Sequence, residues 1–292
     1  MPAAPQGAAT DNAVLRDVPA CESAAPDAFA RPITIAILAM GGEGGGVLAD
    51  WLVDMAEHAG WHAQTTSVPG VAQRTGATIY YLEIFPANLP QARGRLPVLA
   101  MMPTSGEIDL AIASELMEAG RAVQRGLVTP DRTTLVASTH RVYSMTEKMA
   151  MGDGRVDSAR LIAACQAAAR LCVLDDFAAL AQAAGSVISA TLYGAVAATG
   201  RLPFGKDDYA QAIRRGGVGV TSSLAAFEAG YARAEWLRSQ VATAGAGSSA
   251  GSSASASASA SASASASASA SADGAVSSPP GHGPALAGLV EE

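Results

Sequence analysis

The run "ITIAILAMGGEGGGVLADWLVDMAEHAG", residues 33 to 60, limits the architectures open to this chain more than any other stretch. Ile33 to Ala39 are continuously apolar and β-prone, as in a strand buried on both faces. Residues 41 to 46 then hold five glycines in six positions. Glycine is costly to order, so a cluster this dense must hold a ligand, dock another chain or turn a tight corner. Beyond it Leu48, Leu52, Met55, Ala56 and Ala59 recur at helical spacing, and Gly60 stands where a left-handed cap belongs. Strand, turn and helix make one βα unit.

The same pattern continues along the chain. Strands are expected at 62–68, 78–85, 98–102, 109–113, 133–138 and 171–175, where β-branched and aromatic residues run together. Helices are expected at 114–124 (capped by Ser114 or its neighbour), 158–170, 177–184, 186–198, 206–215 and 222–240. Alternation of this kind predicts an α/β fold: a doubly wound, mostly parallel sheet with helices on both faces, in a single domain over residues 31–240. Residues 1–30 lack hydrophobic periodicity and read as a disordered N-terminal segment. Residues 241–292, rich in Gly and Ser-Ala alternation, read as a disordered tail, because such a tract has little apolar area to offset its chain entropy.

Charge and composition narrow the function. A net charge of −7 with scattered Lys and Arg argues against nucleic-acid binding. Apolar runs are strand-sized or interrupted by charge, so no membrane association is expected and the default location is cytoplasmic. Cys21, Cys165 and Cys172 are too few and too badly spaced for a four-ligand cluster or zinc site, and read as reduced apolar side chains. Any redox cluster is therefore expected on a partner.

Three motifs bear on chemistry. Gly44, Gly46 and Ala49 satisfy G-x-G-x-x-A, a dinucleotide pattern, but no Asp or Glu lies between Glu57 and Glu83 to grip a ribose. A P-loop fails too, since no Lys-Ser or Lys-Thr follows Gly46. Glu43 brings a carboxylate into the turn, which repels phosphate there unless it points away. A tight-turn or interface role and an acyl-carrier or nucleotide contact both remain open for the glycines. The stretch "TTSVPGVAQRTGATIYY", 65 to 81, places a polar loop between two strands, a position that often carries function. "GDG" at 152–154 opens like a thiamin-diphosphate magnesium motif, but no Asn pair follows, and Asp153 reads as a loop residue. His58, His62 and His140 are too dispersed to propose a metal site, and no nucleophilic triad is legible, so no catalytic residue and no metal ligand is assigned.

Taken together and in order, "AMGGEGGGVLADWLVDMAEHAGW", "TTSVPGVAQRTGATIYYLEI", "ASELMEAGRAVQRGLVTPDRTTLVAST" and "VISATLYGAVAATGRLPFGKDDYAQAIRRGGVGVTSSLAAFEAGY" resemble the gamma domain of the 2-oxoacid:ferredoxin oxidoreductases. The likeness is closest to the beta subunit of indolepyruvate ferredoxin oxidoreductase and covers roughly residues 33 to 235. The resemblance implies a non-thiamin subunit, inactive alone. Its complex oxidatively decarboxylates an aryl pyruvate to an aryl-acetyl-CoA while reducing ferredoxin. It also implies that no cofactor is bound by this chain alone. Thiamin diphosphate, Mg and iron-sulfur clusters are expected in a partner alpha subunit, with coenzyme A as co-substrate and ferredoxin as acceptor. The positions carried over as cofactor contacts are Gly41, Gly42, Gly44 and Gly45 of the turn and Gln73, Arg74, Thr75 and Gly76 of the loop. Two departures stand out: relatives commonly carry Gln where this chain has Glu43, and many continue into a further C-terminal region where this chain has Ser-Ala repeats. The latter leads to the expectation of a short-form subunit. Other expectations are a gamma subunit for another 2-oxoacid such as pyruvate, a nicotinamide enzyme, or a stand-alone nucleotide- or acyl-CoA-binding protein.

Overall fold

Six strands form one sheet in the order β2-β3-β1-β4-β5-β6: β1 (Ile33–Met40), β2 (Trp61–Pro69), β3 (Ala77–Pro86), β4 (Leu110–Ala113), β5 (Thr134–Ser138) and β6 (Leu171–Asp175). The computed structural model describes residues 31–69, 77–87, 97–143, 145–149, 151 and 153–249. The helices are α1 (Gly45–His58), α2 (Leu116–Gln124), α3 (Met145–Met149), α4 (Ser158–Ala168), α5 (Phe177–Ala183), α6 (Ile188–Thr199), α7 (Lys206–Gly216) and α8 (Val220–Ser249). Strands β1, β4, β5 and β6 run parallel. Strand β3 is antiparallel to both β1 and β2, so the sheet is mixed. The reason lies in the connection: Pro69 and Ala77 are separated by only seven residues, too few for the crossover that two parallel strands require.

Alternation along β1 divides the core. Ile35 and Ile37 pack with Leu48, Leu52 and Met55 of α1 and with α6 and α8. Ala36 and Leu38 face the other way, against Ala119 and Ala122 of α2 and Cys165 of α4. Helices thus cover both faces. Helix α6 is buried almost all round, and Gly194 lets it approach α8 closely: a Cβ there falls 2.8 Å from the Tyr231 N, and closer to the Phe227 carbonyl. Tyr193 anchors the same layer, 4.9 Å from Tyr209 and 5.4 Å from Trp51 between ring centroids, in the tilted arrangements that aromatic quadrupoles favour. Among the described residues no single helix is long and apolar enough to cross a membrane.

Two segments depart from expectation. Residues 98–102 form no strand. They strap across the open face of β2 and β3, where side chains satisfy their backbone: Ala100 N donates to Glu83 at 2.7 Å, Gln64 donates to the Ala100 carbonyl at 3.2 Å, and Thr66 to that of Met101 at 2.7 Å. Val98, Met101 and Met102 consequently point to solvent, and their apolar run did not signal burial. Helix α8 continues beyond Gln240 to Ser249, since extending an existing helix adds a hydrogen bond for each residue fixed.

Candidate functional site

Helix α1 follows β1 onto one face of the sheet, and α2 follows β4 onto the other. The chain therefore diverges between these neighbouring strands, leaving a crevice at their carboxyl ends, where open α/β sheets place ligands. The glycine turn sits in it. Glu43 N donates to the Met40 carbonyl at 3.1 Å to close the turn. Gly42 and Gly44 have φ of 89° and 74°, left-handed values that disfavour other residues. Gly45 is required by contact instead: a Cβ there meets Tyr80 Cε2 at 2.8 Å and lies closer still to Ala39. At Gly46 the nearest atom to such a Cβ is the Tyr80 hydroxyl at 3.5 Å, an ordinary contact. Gly41 is exposed on the turn. Three of the four glycines carried over as contacts, Gly42, Gly44 and Gly45, thus have a reason in backbone geometry or packing.

The turn also joins two helix starts. Gly44 is the N-cap of α1 and Val187 that of α6, and neither helix has a side-chain cap. A Cβ on Gly44 falls 2.7 Å from Ser189 Oγ. That hydroxyl is buried and has no hydrogen-bond partner among the described residues. Gln73, Arg74, Thr75 and Gly76 lie outside the described residues. Their flanks reach the same sheet edge, because Ala77 pairs with Met40 and Pro69 with Thr78.

Glu43 turns its carboxylate toward the strand ends. Its Oε2 accepts from Met40 N at 3.3 Å and from the Ser114 hydroxyl, and its Oε1 lies 3.1 Å from His140 Nε2. His140 Nδ1 is 2.9 Å from Ser138 Oγ, which accepts from Ala178 N at 3.4 Å in the first turn of α5. Burial by itself raises the Glu43 carboxyl. Hydrogen bonds from His140, Ser114 and Met40 N and the His140 charge outweigh it and hold the group below its ordinary range. The hydrogen bond to Glu43 lifts His140 above its ordinary value, burial opposes this, and the charges of Glu43, Glu115 and Asp176 add to the rise. The pair lines an open cleft of about 290 Å³ whose other walls include Gly42, Ala178, Gln182 and Val187.

The Glu43–His140 pair was not found in the sequence. The two residues are 97 positions apart, and the usable signal was topological: each follows the end of a strand, and strand ends of a parallel sheet share an edge. Ser114 does not cap α2, because Glu115 does, accepting from Glu118 N at 2.7 Å and Met117 N at 2.9 Å. This frees the Ser114 hydroxyl for Glu43. His58 pairs with Asp54 on α1, and Asp153 is bound in an exposed ion pair to Arg155 at 2.8 Å. Among the described residues no three His, Cys, Asp or Glu side chains gather as a metal site.

These features define an open-sheet α/β domain that gathers its polar groups and a glycine turn at a strand switch point. The family model for pyruvate ferredoxin/flavodoxin oxidoreductase matches residues 34–233, and the chain belongs to that family. Similar solved structures include pyruvate oxidoreductase subunit PORC of Thermotoga maritima, at 15% identity and TM-score 0.47, covering 68% of this chain and 95% of that one. Another is the gamma subunit of a keto/oxoacid ferredoxin oxidoreductase of Geobacter sulfurreducens PCA, at 13% identity and TM-score 0.46, covering 69% and 98%. No curated protein matches the chain significantly.

Proposed function

We propose that this chain is the non-thiamin subunit of a complex that converts a 2-oxoacid and coenzyme A to an acyl-CoA and CO₂, passing two electrons to ferredoxin. The observation that carries this reading is the family match, which extends from β1 into α8. An aryl pyruvate such as indolepyruvate is the substrate that the sequence resemblance implies. The family description, which names pyruvate, favours instead a gamma subunit for another 2-oxoacid such as pyruvate.

The donor set supports a division of labour with an alpha subunit. Cys165 is buried between α4 and the sheet, Cys172 packs against the same cluster, and no third His, Cys, Asp or Glu joins them among the described residues, short of the four ligands an iron-sulfur cluster takes. The Asp153 carboxylate is engaged by Arg155, which leaves it a poor partner for the Mg of thiamin diphosphate. The turn fits coenzyme A better. Gly41 and Gly42 are exposed, the first N–H groups of α1 lack a side-chain cap, and both Glu43 oxygens are occupied elsewhere. Helix starts of this kind attract phosphate. Gln73, Arg74, Thr75 and Gly76 complete the proposed contact set.

Coexpression with the candidate thiamin-binding subunit tests the assignment. The copurified complex is expected to reduce a viologen dye only with coenzyme A present, and comparison of indolepyruvate, phenylpyruvate and pyruvate ranks the substrates. Oxidation of a 2-oxoacid by the purified chain alone, free of thiamin and iron, overturns it. Calorimetry of the isolated chain with NADH, NADPH and coenzyme A separates the nicotinamide and adaptor readings.

A further inference from the structure

The cluster around His140 ties together the segments that follow three neighbouring strands and the start of a helix. Glu43 belongs to the turn after β1, Ser114 follows β4, Ser138 ends β5, and Ala178 opens α5. The His140 carbonyl also accepts from Leu116 N at 3.1 Å, which fixes the residue against α2. Turn and α5 form two walls of the same cleft. The side chains that join them include an imidazole, the group that changes charge nearest neutrality.

We propose that Glu43 and His140 form a proton-operated latch on the glycine turn. With His140 protonated, the turn is held against the strand ends by an ion pair. Loss of the proton removes the opposing charge, loosens the turn and leaves the Glu43 carboxylate on the cleft wall held by hydrogen bonds alone.

The hydrogen bonds give the proton a defined place. Nε2–H faces Glu43 in both states, so the titrating position is Nδ1. Neutral Nδ1 accepts from the Ser138 hydroxyl; protonated Nδ1 donates to it, and Ser138 Oγ then receives both Nδ1–H and Ala178 N–H. Protonation therefore alters the hydrogen bond at the start of α5 as well as the one on the turn. Other charged groups nearby are Glu115 and Glu118 on α2, the latter paired with Arg121, with Asp176 at the start of α5 and Asp175, paired with Arg233, at the end of β6. Arg141, the adjacent cation, is committed to Glu147. The surroundings thus favour the imidazolium, in line with the upward displacement of His140 and the downward displacement of Glu43.

The full-length chain, labelled with ¹⁵N and with ring-¹³C histidine, provides the test in a titration from about pH 5 to 9, the range where imidazole changes charge. The His140 ring, assigned by its loss in His140→Gln, is expected to titrate above 6.5. The Gly42, Gly44 and Ala178 amides are expected to move with the same midpoint. In Glu43→Gln the midpoint falls and the glycine amides no longer follow it. In Ser138→Ala the glycine response persists and that of Ala178 is lost. A His140 midpoint at or below 6.5, or glycine amides that stay fixed while His140 titrates, overturns the latch; both are read on the unaltered protein. No thiamin, coenzyme A or partner enters the measurement, so its outcome is independent of the proposed activity.

Discussion

Replacing Gly45 by Ala separates packing at the glycine turn from tolerance of the sequence around it. The new methyl group meets Tyr80 Cε2 at 2.8 Å, where ordinary contact begins near 3.4 Å, and presses harder on Ala39. Tyr80 must therefore move by about 0.6 Å, while Ala39 belongs to the central strand and is 3% exposed. Overpacking of this kind costs about 1–3 kcal/mol. Helix propensity returns up to about 1 kcal/mol, and less in the first turn than in the interior. The net loss is about 1–2 kcal/mol, which lowers the melting temperature by about 2–8 °C in a domain of this size. Gly46→Ala is the neighbouring control. Its methyl finds only an ordinary contact at 3.5 Å, so the variant should melt at the wild-type temperature or slightly above. Thermal unfolding followed by circular dichroism reads both. If Gly45→Ala melts as high as Gly46→Ala, the corner is not close-packed and the reasoning fails.

Glu147→Gln removes the carboxylate from Arg141, whose side chain is 9% exposed, and a buried ion pair broken on one side costs about 3–5 kcal/mol; urea unfolding is expected to show a lower midpoint, with a smaller drop in an Arg141→Met, Glu147→Gln double variant. The Glu43–His140 pair should give stability its own pH window. The contribution of the depressed Glu43 is present above the ordinary carboxyl value of 4.5 and is lost as pH falls through the folded value. That of the raised His140 is complete below 6.5 and is lost as pH rises through its folded value. Melting temperatures measured across pH should therefore decline on the alkaline side in the wild type, and less so in Glu43→Gln; equal slopes contradict the coupling. Burial pushes the Cys165 thiol up to about 12, so it should resist a thiol reagent at neutral pH until the domain is unfolded, as peptide mapping would detect.

The first βα unit was legible because its signals are local: an apolar run, a glycine cluster and a helical stripe each act over a few residues. The antiparallel pairing of β3 was not read from the sequence, although the short connection before it, which cannot hold a crossover, carried that signal. The strap at 98–102 was misread because a short apolar run looks alike in a strand and in a segment whose backbone is satisfied by sheet side chains. Sequence likewise located the glycines but not their constraints, since Tyr80 and Ser189 press on them from β3 and α6.

Local periodicity and chain connectivity determined the α/β class, the position of the turn at the end of β1, and the helices on both faces. Tertiary structure decided what the turn touches. Glu43 and His140 meet because parallel strands bring their carboxyl ends to one edge, and no sequence spacing encodes the distance between side chains carried there by separate strands.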